Sequence, residues 1–599
     1  MIVKDEEKLL SRCLESVSSY VDEIVIVDTG STDNTIEIAK KFNSKVFEYK
    51  WDNNFAAARN FSISQATGEY ILILDADEYV SIKNEIMWNL TEPVYVLKIQ
   101  NIGDGSIVNH QAIRLFQNNG EFNYKGRIHE HLDVLVNSTT PIFDEFLICH
   151  TGYQKKIVSE KKKDSRNYEL LITEIKDNPT GYNYFNLGTH YKSVHKYNKA
   201  IESYKKAYPI STNFTFVTKL LLSMAECLVA LNRNDEAIKV LNDAIEVHPF
   251  YTDFYYELGN IYKSIGSFKD AELYYNKALS MGEVKKSNYI SNEGVGTYLA
   301  SYKLGELSLE RLDFAQALKH AVSSLQFNMR FSPAITLFFK SIRSANPNET
   351  IKTFYQFWKP ENENDIFLLV KSLYMLRSTL LAEVLENIDQ ESLPDNIRLV
   401  TLLLRKEYTL ASSQWRQLKK LDEDNLADLF TTSLILEDKT LLDLPIVKGY
   451  FNRNEMEIMH SLVDGLPLKT DKLSTFLEKI IKQAVTILLS LREYEVFEKV
   501  LKNVNSCSNT KYEVALILVE FGFTEIAQDI LIELSNNKKV SQTVLYSLVD
   551  LFILHSKYED AFDILNSIIE SGGTQKAYQR MQLLNEKYNN PLLRNHFSK

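Results

Sequence analysis

Short apolar runs and helix-period segments alternate through the first 150 residues. The run Tyr70-Ile71-Leu72-Ile73-Leu74 is followed at once by Asp75-Ala76-Asp77-Glu78. A continuous apolar run with Gly68 before it and acids after it predicts a strand buried on both faces. Ile24-Val25-Ile26-Val27 ends in Asp28 in the same way, and residues 45–49 read as a further strand. Met1-Ile2-Val3 reads as the last part of a first strand, short enough that either a few residues precede it or the fold tolerates a clipped one. Between these runs the spacing turns helical. Leu9, Leu10, Cys13, Leu14 and Val17 share one face of a helix opened by Lys4-Asp5-Glu6-Glu7. Ile36, Ile38, Ala39 and Phe42 follow a Gly30 turn and the cap-forming Ser31 to Asp33. Phe55, Ala57, Ala58, Phe61 and Ile63 follow a cap at Asn53 or Asn54. Strands alternating with helices predict a parallel sheet. Its carboxyl edge gathers Asp5, Asp28, Asp75 and Asp77, and at that edge open α/β sheets bind ligands.

Residues 94–99 and 112–116 read as two more strands, the second carrying Arg114. Gly126-Arg127-Ile128-His129-Glu130-His131 sets two imidazoles around a carboxylate, and His150-Thr151-Gly152-Tyr153 closes the block. Lys155-Lys156 and Lys161-Lys162-Lys163 then begin a basic linker helix through Tyr168, Leu170, Leu171 and Ile175, a solvated face by its charge.

From residue 182 the period changes. Tyr184, Leu187, Gly188, Tyr191, Ala200, Tyr204 and Ala207 fit the tetratricopeptide template. Leu221, Met224, Ala225, Leu228, Ala237, Leu241, Ala244 and Pro249 form a second unit. Tyr255, Leu258, Gly259, Tyr262, Ala271, Tyr275 and Ala278 form a third, and Leu304, Gly305, Ala317 and Ala321 a looser fourth. Beyond Phe331 the pattern stays helical but the template blurs, and residues 365–590 read as a degenerate solenoid with no catalytic constellation. Such arrays offer a concave surface suited to an extended peptide. The alternative is a tail that stabilises or dimerises the protein.

The totals narrow the classes. A chain of 599 residues implies two to four domains. No apolar run approaches the roughly 20 residues of a membrane span, and the acidic start lacks a signal-peptide core. Four scattered cysteines suit reduced thiols in a cytosolic protein, which places it in the cytoplasm. A net charge of -11 argues against a duplex nucleic-acid binder.

Asp75 and Asp77 at one strand end repel each other, and burial costs both. A divalent cation removes that conflict, because Mg²⁺ typically bridges one or two carboxylates to substrate phosphates. An ordinary solvated turn is the alternative reading of the tripeptide. Asp28 suits hydrogen bonds from a base or ribose, and the planar Arg59 suits a base carbonyl or a phosphate. GxGxxG and GxxxxGK[ST] motifs are absent, so neither a dinucleotide fingerprint nor a P-loop is supported.

Ile2-Val3-Lys4-Asp5-Glu6, Val27-Asp28-Thr29-Gly30-Ser31-Thr32-Asp33-Asn34-Thr35, Ala58-Arg59-Asn60 and Leu74-Asp75-Ala76-Asp77-Glu78 stand in the order and spacing of family-two glycosyltransferases, which the chain resembles. The resemblance implies an α/β GT-A (Rossmann-like) domain at residues 1–153, with a linker helix at 154–180. Tetratricopeptide repeats at 181–330 and a degenerate helical-repeat domain at 331–599 complete the all-α solenoid. It also implies a nucleotide-sugar donor, most often UDP-linked, and inversion at the anomeric carbon. Asp28 and Arg59 would then lie at the base, Asp75 near the ribose and Asp77 on the metal, Mn²⁺ or Mg²⁺. An inverting transfer needs a base and a charge to hold the leaving diphosphate. Glu130 is the candidate base, His129 stays open for the same role, and His150 is a candidate to complete the metal shell. The Ile-His-Glu and His-x-Gly-Tyr elements are similar to those of a repeat-tailed subgroup, including bacterial enzymes that glycosylate cysteine or serine in small peptides. A cell-surface glycan or lipid-linked sugar is the rival acceptor. A non-catalytic scaffold with a decayed transferase domain is the rival class. A nucleotidyltransferase would need a Gly-rich phosphate loop, which Lys4-Asp5-Glu6-Glu7 is not.

Overall fold

The computed structural model describes residues 1–588 apart from 83–87, 104–106, 135–139, 152–162, 212–215, 285–288, 344, 346, 387, 389–392 and 537–540. Gly152, Tyr153 and the lysines at 155, 156, 161 and 162, expected to close the domain and open the linker helix, lie outside these residues. The chain divides into two units, Met1–Ile261 with Leu273–Thr297, and Tyr262–Glu272 with Tyr298–Lys599.

In the first unit the strands β1 (Ile2–Val3), β2 (Val25–Asp28) and β3 (Lys45–Glu48) pair in parallel in that order. Helices α1 (Leu10–Val17), α2 (Thr35–Lys41) and α3 (Phe55–Ser64) alternate with them as the apolar spacing predicts. Asn54 caps α3, its side chain accepting from Ala57 N at 3.1 Å.

Two features depart from the sequence reading. Lys4 to Glu7 do not open α1. Asp5 takes a left-handed φ of +53°, which no helix accommodates. Its amide donates to Ser31 Oγ (3.0 Å), that of Glu6 to Thr35 Oγ1 (2.7 Å) and that of Glu7 to Asp33 Oδ2 (3.1 Å). In return Thr32 N donates to Asp5 Oδ1 at 2.7 Å. The two loops at the sheet edge are thus stitched together, and the helix starts only at Leu10.

The sheet is also mixed rather than parallel throughout. Strand β4 (Tyr70–Leu72) pairs antiparallel with β7 (Ile107–Gln117). The second sheet runs β11 (Ser291–Asn292), β7, β6 (Val94–Ile102), β10 (Ile142–His150), β5 (Glu78–Ile82), with β4 also on β7. A small ribbon pairs β8 (Tyr124–Lys125) with β9 (His131–Leu132). Burial on both faces follows the period of two. Leu72, Leu74, Tyr95, Leu97 and Ile99 enter one core, while Ile71, Ile73 and Val96 enter the other. This leaves the residues after Leu74 at the joint between the sheets.

Helix α4 (Lys163–Asp177) packs Leu170 and Leu171 against Ile128 and Leu187. Paired helices follow: α5 (Gly181–Ser193) with α6 (Tyr197–Ala207), α7 (Val217–Ala230) with α8 (Asn234–Val247), and α9 (Thr252–Ser264) with α10 (Phe268–Met281). Small residues set the approach within each pair. A Cβ on Gly259 would lie 2.5 Å from Tyr275 Cε1, and one on Gly188 would strike the Tyr204 ring.

The second unit continues with α11 (Tyr298–Glu310) and α12 (Phe314–Phe327), which bury Leu304, Ala317 and Ala321. Beyond Phe331 its described secondary-structure elements are all helices, and one continuous core runs from Ala321 to Leu584. Among the described residues no helix is long and apolar enough to cross a membrane.

Candidate active site

A cavity of about 1030 Å³ opens at the carboxyl edge of the first unit. The stitched loop from Lys4 to Leu9 forms one wall. Trp51, Phe55, Arg59, Asp75, Asp77, Ile128, His129, Glu130, His150 and Arg166 line the rest.

Arg59 is the hub. It projects from the middle of α3 and is 4% exposed. Its Nε and Nη2 donate to Glu130 Oε1 at 3.0 and 2.6 Å, and Nη2 also donates to Asp75 Oδ1 at 3.0 Å. Nη1 is buried with no hydrogen-bond partner among the described residues. Burial works against the charge of this guanidinium, but Asp75 and Glu130 outweigh it and keep the group protonated.

Burial likewise works to raise the Asp75 carboxyl, yet Arg59 and Arg114 beside it hold it well below the usual carboxylate range. Arg114 lies on β7, with Nη1 3.5 Å from Asp75 Oδ2 and Nη2 donating to Glu78 Oε1 at 2.9 Å. Glu78, 2% exposed, caps the turn by accepting Asp75 N on Oε2 at 2.8 Å. Burial pushes its carboxyl up.

Asp77 follows on the same turn. Its Oδ1 lies 3.3 Å from His150 Nε2 at the end of β10. Burial acts to lower the His150 ring, but the hydrogen bond and charge of Asp77 raise it above the ordinary value. His150 Nδ1 donates to Asn101 Oδ1 at 2.8 Å. Among the described residues no group of three or more His, Cys, Asp and Glu converges as a metal site. Asp77 and His150 offer one carboxylate and one imidazole, a donor pair that would hold a divalent cation only if substrate oxygens and water supplied its other ligands.

Glu130 and His129 sit on a loop clamped from two sides. Phe55 N donates to Arg127 O at 2.9 Å, and Arg127 N donates to Glu174 Oε2 on α4 at 3.0 Å. His129 adopts φ +53°. The structure therefore brings Arg59, Asp75, Asp77, His129, Glu130 and His150 to one cavity. It does not bring the Asp28 carboxylate there. That side chain is 4% exposed and accepts from the amides of Gly30 (3.0 Å) and Ser31 (3.1 Å), holding the loop after β2.

Sequence reading passed over Glu78, Arg114 and Asn101 as site residues. An arginine inside the apolar strand Ile113-Arg114-Leu115-Phe116 signals a buried acidic partner. Asn101 carries no local signal, because only the register of β6 against β10 sets it opposite His150.

Residues 1–130 match the family described as Glycosyl transferase family 2. Residues 227–266 and 252–281 match the TPR repeat and Tetratricopeptide repeat families. The chain therefore joins a family-two glycosyltransferase domain to tetratricopeptide repeats. It is similar to a TPR repeat-containing protein of Synechococcus elongatus, 32% identical over 30% of this chain and 48% of that protein. It is similar to the SPbeta prophage-derived glycosyltransferase SunS of Bacillus subtilis, 28% identical over 39% of this chain and 58% of SunS. An uncharacterized glycosyltransferase of Rickettsia typhi is 36% identical over 14% of this chain and 27% of its own length. The chain spans about half the length of the first two relatives.

Proposed function

We propose that the chain is a metal-dependent, inverting glycosyltransferase that moves a sugar from a nucleotide-sugar donor, most simply a UDP-sugar, to a side chain of a polypeptide. One observation carries this reading. Asp75, held by Arg59, and Asp77, beside His150, stand on one turn at the wall of a cavity large enough for a nucleotide sugar.

On this reading the orphaned Nη1 of Arg59 donates to the donor's base or phosphate, and Asp75 orients the ribose. Asp28 contributes indirectly, by holding the loop that borders the nucleotide. Mn²⁺ or Mg²⁺ held by Asp77 and His150 would supply positive charge to the departing diphosphate. Glu130 is the base that takes the proton from the acceptor nucleophile as it attacks. Both contacts from Arg59 fall on Oε1, so Oε2 is the oxygen assigned to the proton. His129 is the neighbour that would replace it in that role.

The acceptor assignment rests on the repeats, whose paired helices commonly bind polypeptide. A cysteine or serine side chain is the nucleophile that the resemblance to repeat-tailed transferases suggests. The test is a screen of nucleotide sugars for Mn²⁺- or Mg²⁺-dependent hydrolysis, repeated with Asp77→Asn. Turnover in the wild type that vanishes in a folded Asp77→Asn protein is the expected result. Full activity in that variant would overturn the proposal. Labelled donor supplied with mixed peptides or with glycans then shows which acceptor takes the sugar.

A further inference from the structure

The pair Asp77–His150 does not end at the cavity wall. His150 Nδ1 donates to Asn101 Oδ1 at 2.8 Å, and Asn101 Nδ2 lies 3.1 Å from His110 Nδ1. These groups come together through strand register. His150 on β10 is the partner of Asn101 on β6, and Ile99, two residues away on the same face of β6, is the partner of His110 on β7. An amide nitrogen can only donate, so its bond to His110 fixes which way the Asn101 amide points. With Nδ2 turned to His110, Oδ1 must face His150. A carbonyl oxygen can only accept, so His150 must carry its hydrogen on Nδ1. Nε2 is thereby left as the atom that faces Asp77 and the cavity.

We propose that Asn101, oriented by His110, is a positioning residue that holds a hydrogen on His150 Nδ1 and so leaves Nε2, the nitrogen that faces Asp77, as the one the divalent cation would take. This rests on the metal-binding reading above and deepens it, because neither Asn101 nor His110 lines the cavity. An imidazole ligand needs such a partner on its far nitrogen to hold its tautomer and ring orientation. His110 suits the anchor's role. Burial pushes its ring down to about 4, so it stays neutral, and Asn101 Nδ2 at 3.1 Å calls for the tautomer whose Nδ1 accepts.

The test compares wild type, Asn101→Leu and Asn101→Asp in the full chain. Mn²⁺ binding in the presence of UDP is read by electron paramagnetic resonance, and metal-free UDP binding by calorimetry. Asn101→Leu should weaken Mn²⁺ about 10-fold or more while metal-free UDP affinity holds. Asn101→Asp keeps an acceptor for Nδ1–H and should stay within about threefold of wild type. Equal Mn²⁺ affinity in Asn101→Leu would overturn the positioning role and leave the site reading intact. No Mn²⁺ binding by the wild type would overturn both. A third readout needs no variant to fold. In ¹⁵N-histidine spectra of the wild type with Mg²⁺ and UDP, His150 should carry its hydrogen on Nδ1, and a hydrogen on Nε2 would refute the inference.

Discussion

Arg59 spends its donors unevenly. Two nitrogens bind Glu130 and Asp75, and the third is buried without a partner among the described residues. An unsatisfied buried donor costs about 1–3 kcal/mol, and an anion or carbonyl that accepts from Nη1 recovers it on binding. Lysine keeps the charge but cannot bridge two carboxylates in a plane and still present a spare donor. Arg59→Lys should therefore weaken UDP about 10- to 100-fold in calorimetry, a loss of the same 1–3 kcal/mol. Unchanged affinity would put the nucleotide elsewhere. Asp253, at the start of α9, shows a different use of burial. It is 1% exposed, accepts from Asn292 N and Nδ2 at 2.8 and 2.7 Å, and is pushed up to about 7 by burial. The unfolded chain releases this proton near pH 4, whereas the folded chain keeps it until about pH 7. The folded state binds more protons across that window, so stability falls as pH rises through it and levels off above. Glu257, also pushed up to about 7 by burial, adds to the same slope. Urea unfolding of Asp253→Asn with Glu257→Gln should flatten the decline between pH 4 and 7 by at least about 1 kcal/mol. A slope equal to wild type would show that neither carboxyl titrates this way.

At the scale of elements, the sequence was most readable where a period repeats. Two of the three tetratricopeptide pairs showed themselves through glycine and tyrosine at fixed offsets, the second through alanine and leucine there, and the structure explains the offset. Gly188 faces the Tyr204 ring and Gly259 faces the Tyr275 ring, each across its helix pair. Gly259→Ala forces a methyl to within 2.5 Å of a ring that is fully buried and cannot swing away. Overpacking of this kind costs about 1–3 kcal/mol, so the melting temperature should drop by several degrees. A Gly259→Ala, Tyr275→Leu double variant should lose less than the two single changes added together, because the clash is gone. Strand β11 was invisible for the opposite reason. It is two polar residues, Ser291 and Asn292, that pair with β7 through Asn109 and Val108, with no alternation to reveal them. The neighbouring Glu293 accepts from Gln100 Nε2 at 2.6 Å and so ties the repeats to the sheet that carries the site. The turn after Leu74 was legible as acids at a strand end. The arginines that make those acids tolerable come from α3 and β7, and only the fold shows that they meet.

The second unit, taken by itself, closes on its own beginning. Its last described helix, Gln575–Tyr588, sets Lys576 against Gly266 and Gln579 against Ser267, and stacks Arg580 over Phe268 at 5.6 Å. Residues far apart also meet within it: Arg343 donates to Glu520 at 2.8 Å and lies 4.5 Å over the Phe521 ring. An open solenoid touches only neighbouring repeats, so this unit departs from the one-dimensional array expected beyond residue 331. The departure could not be read from the sequence, because closure depends on the summed rotation of many helix pairs and not on any local pattern. Arg580 is the residue on which closure can be tested. It binds Asp550 through Nε at 2.8 Å and Nη2 at 2.7 Å while reaching Phe268. Removing one partner of a buried pair leaves the other charge uncompensated, at about 3–5 kcal/mol. Arg580→Ala should therefore lower the unfolding free energy of this unit by that amount, against under about 0.5 kcal/mol for an exposed arginine. Hydrogen exchange separates closure from the local pair with Asp550. If the last helix holds the first residues of the unit, amides in 262–272 should exchange faster in Arg580→Ala, some 300 positions away in sequence yet in ring contact. Unchanged protection there would mean that the variant loses only the Asp550 pair. The cavity residues all belong to the first unit, so any UDP binding of the kind proposed should be the same in this variant as in wild type.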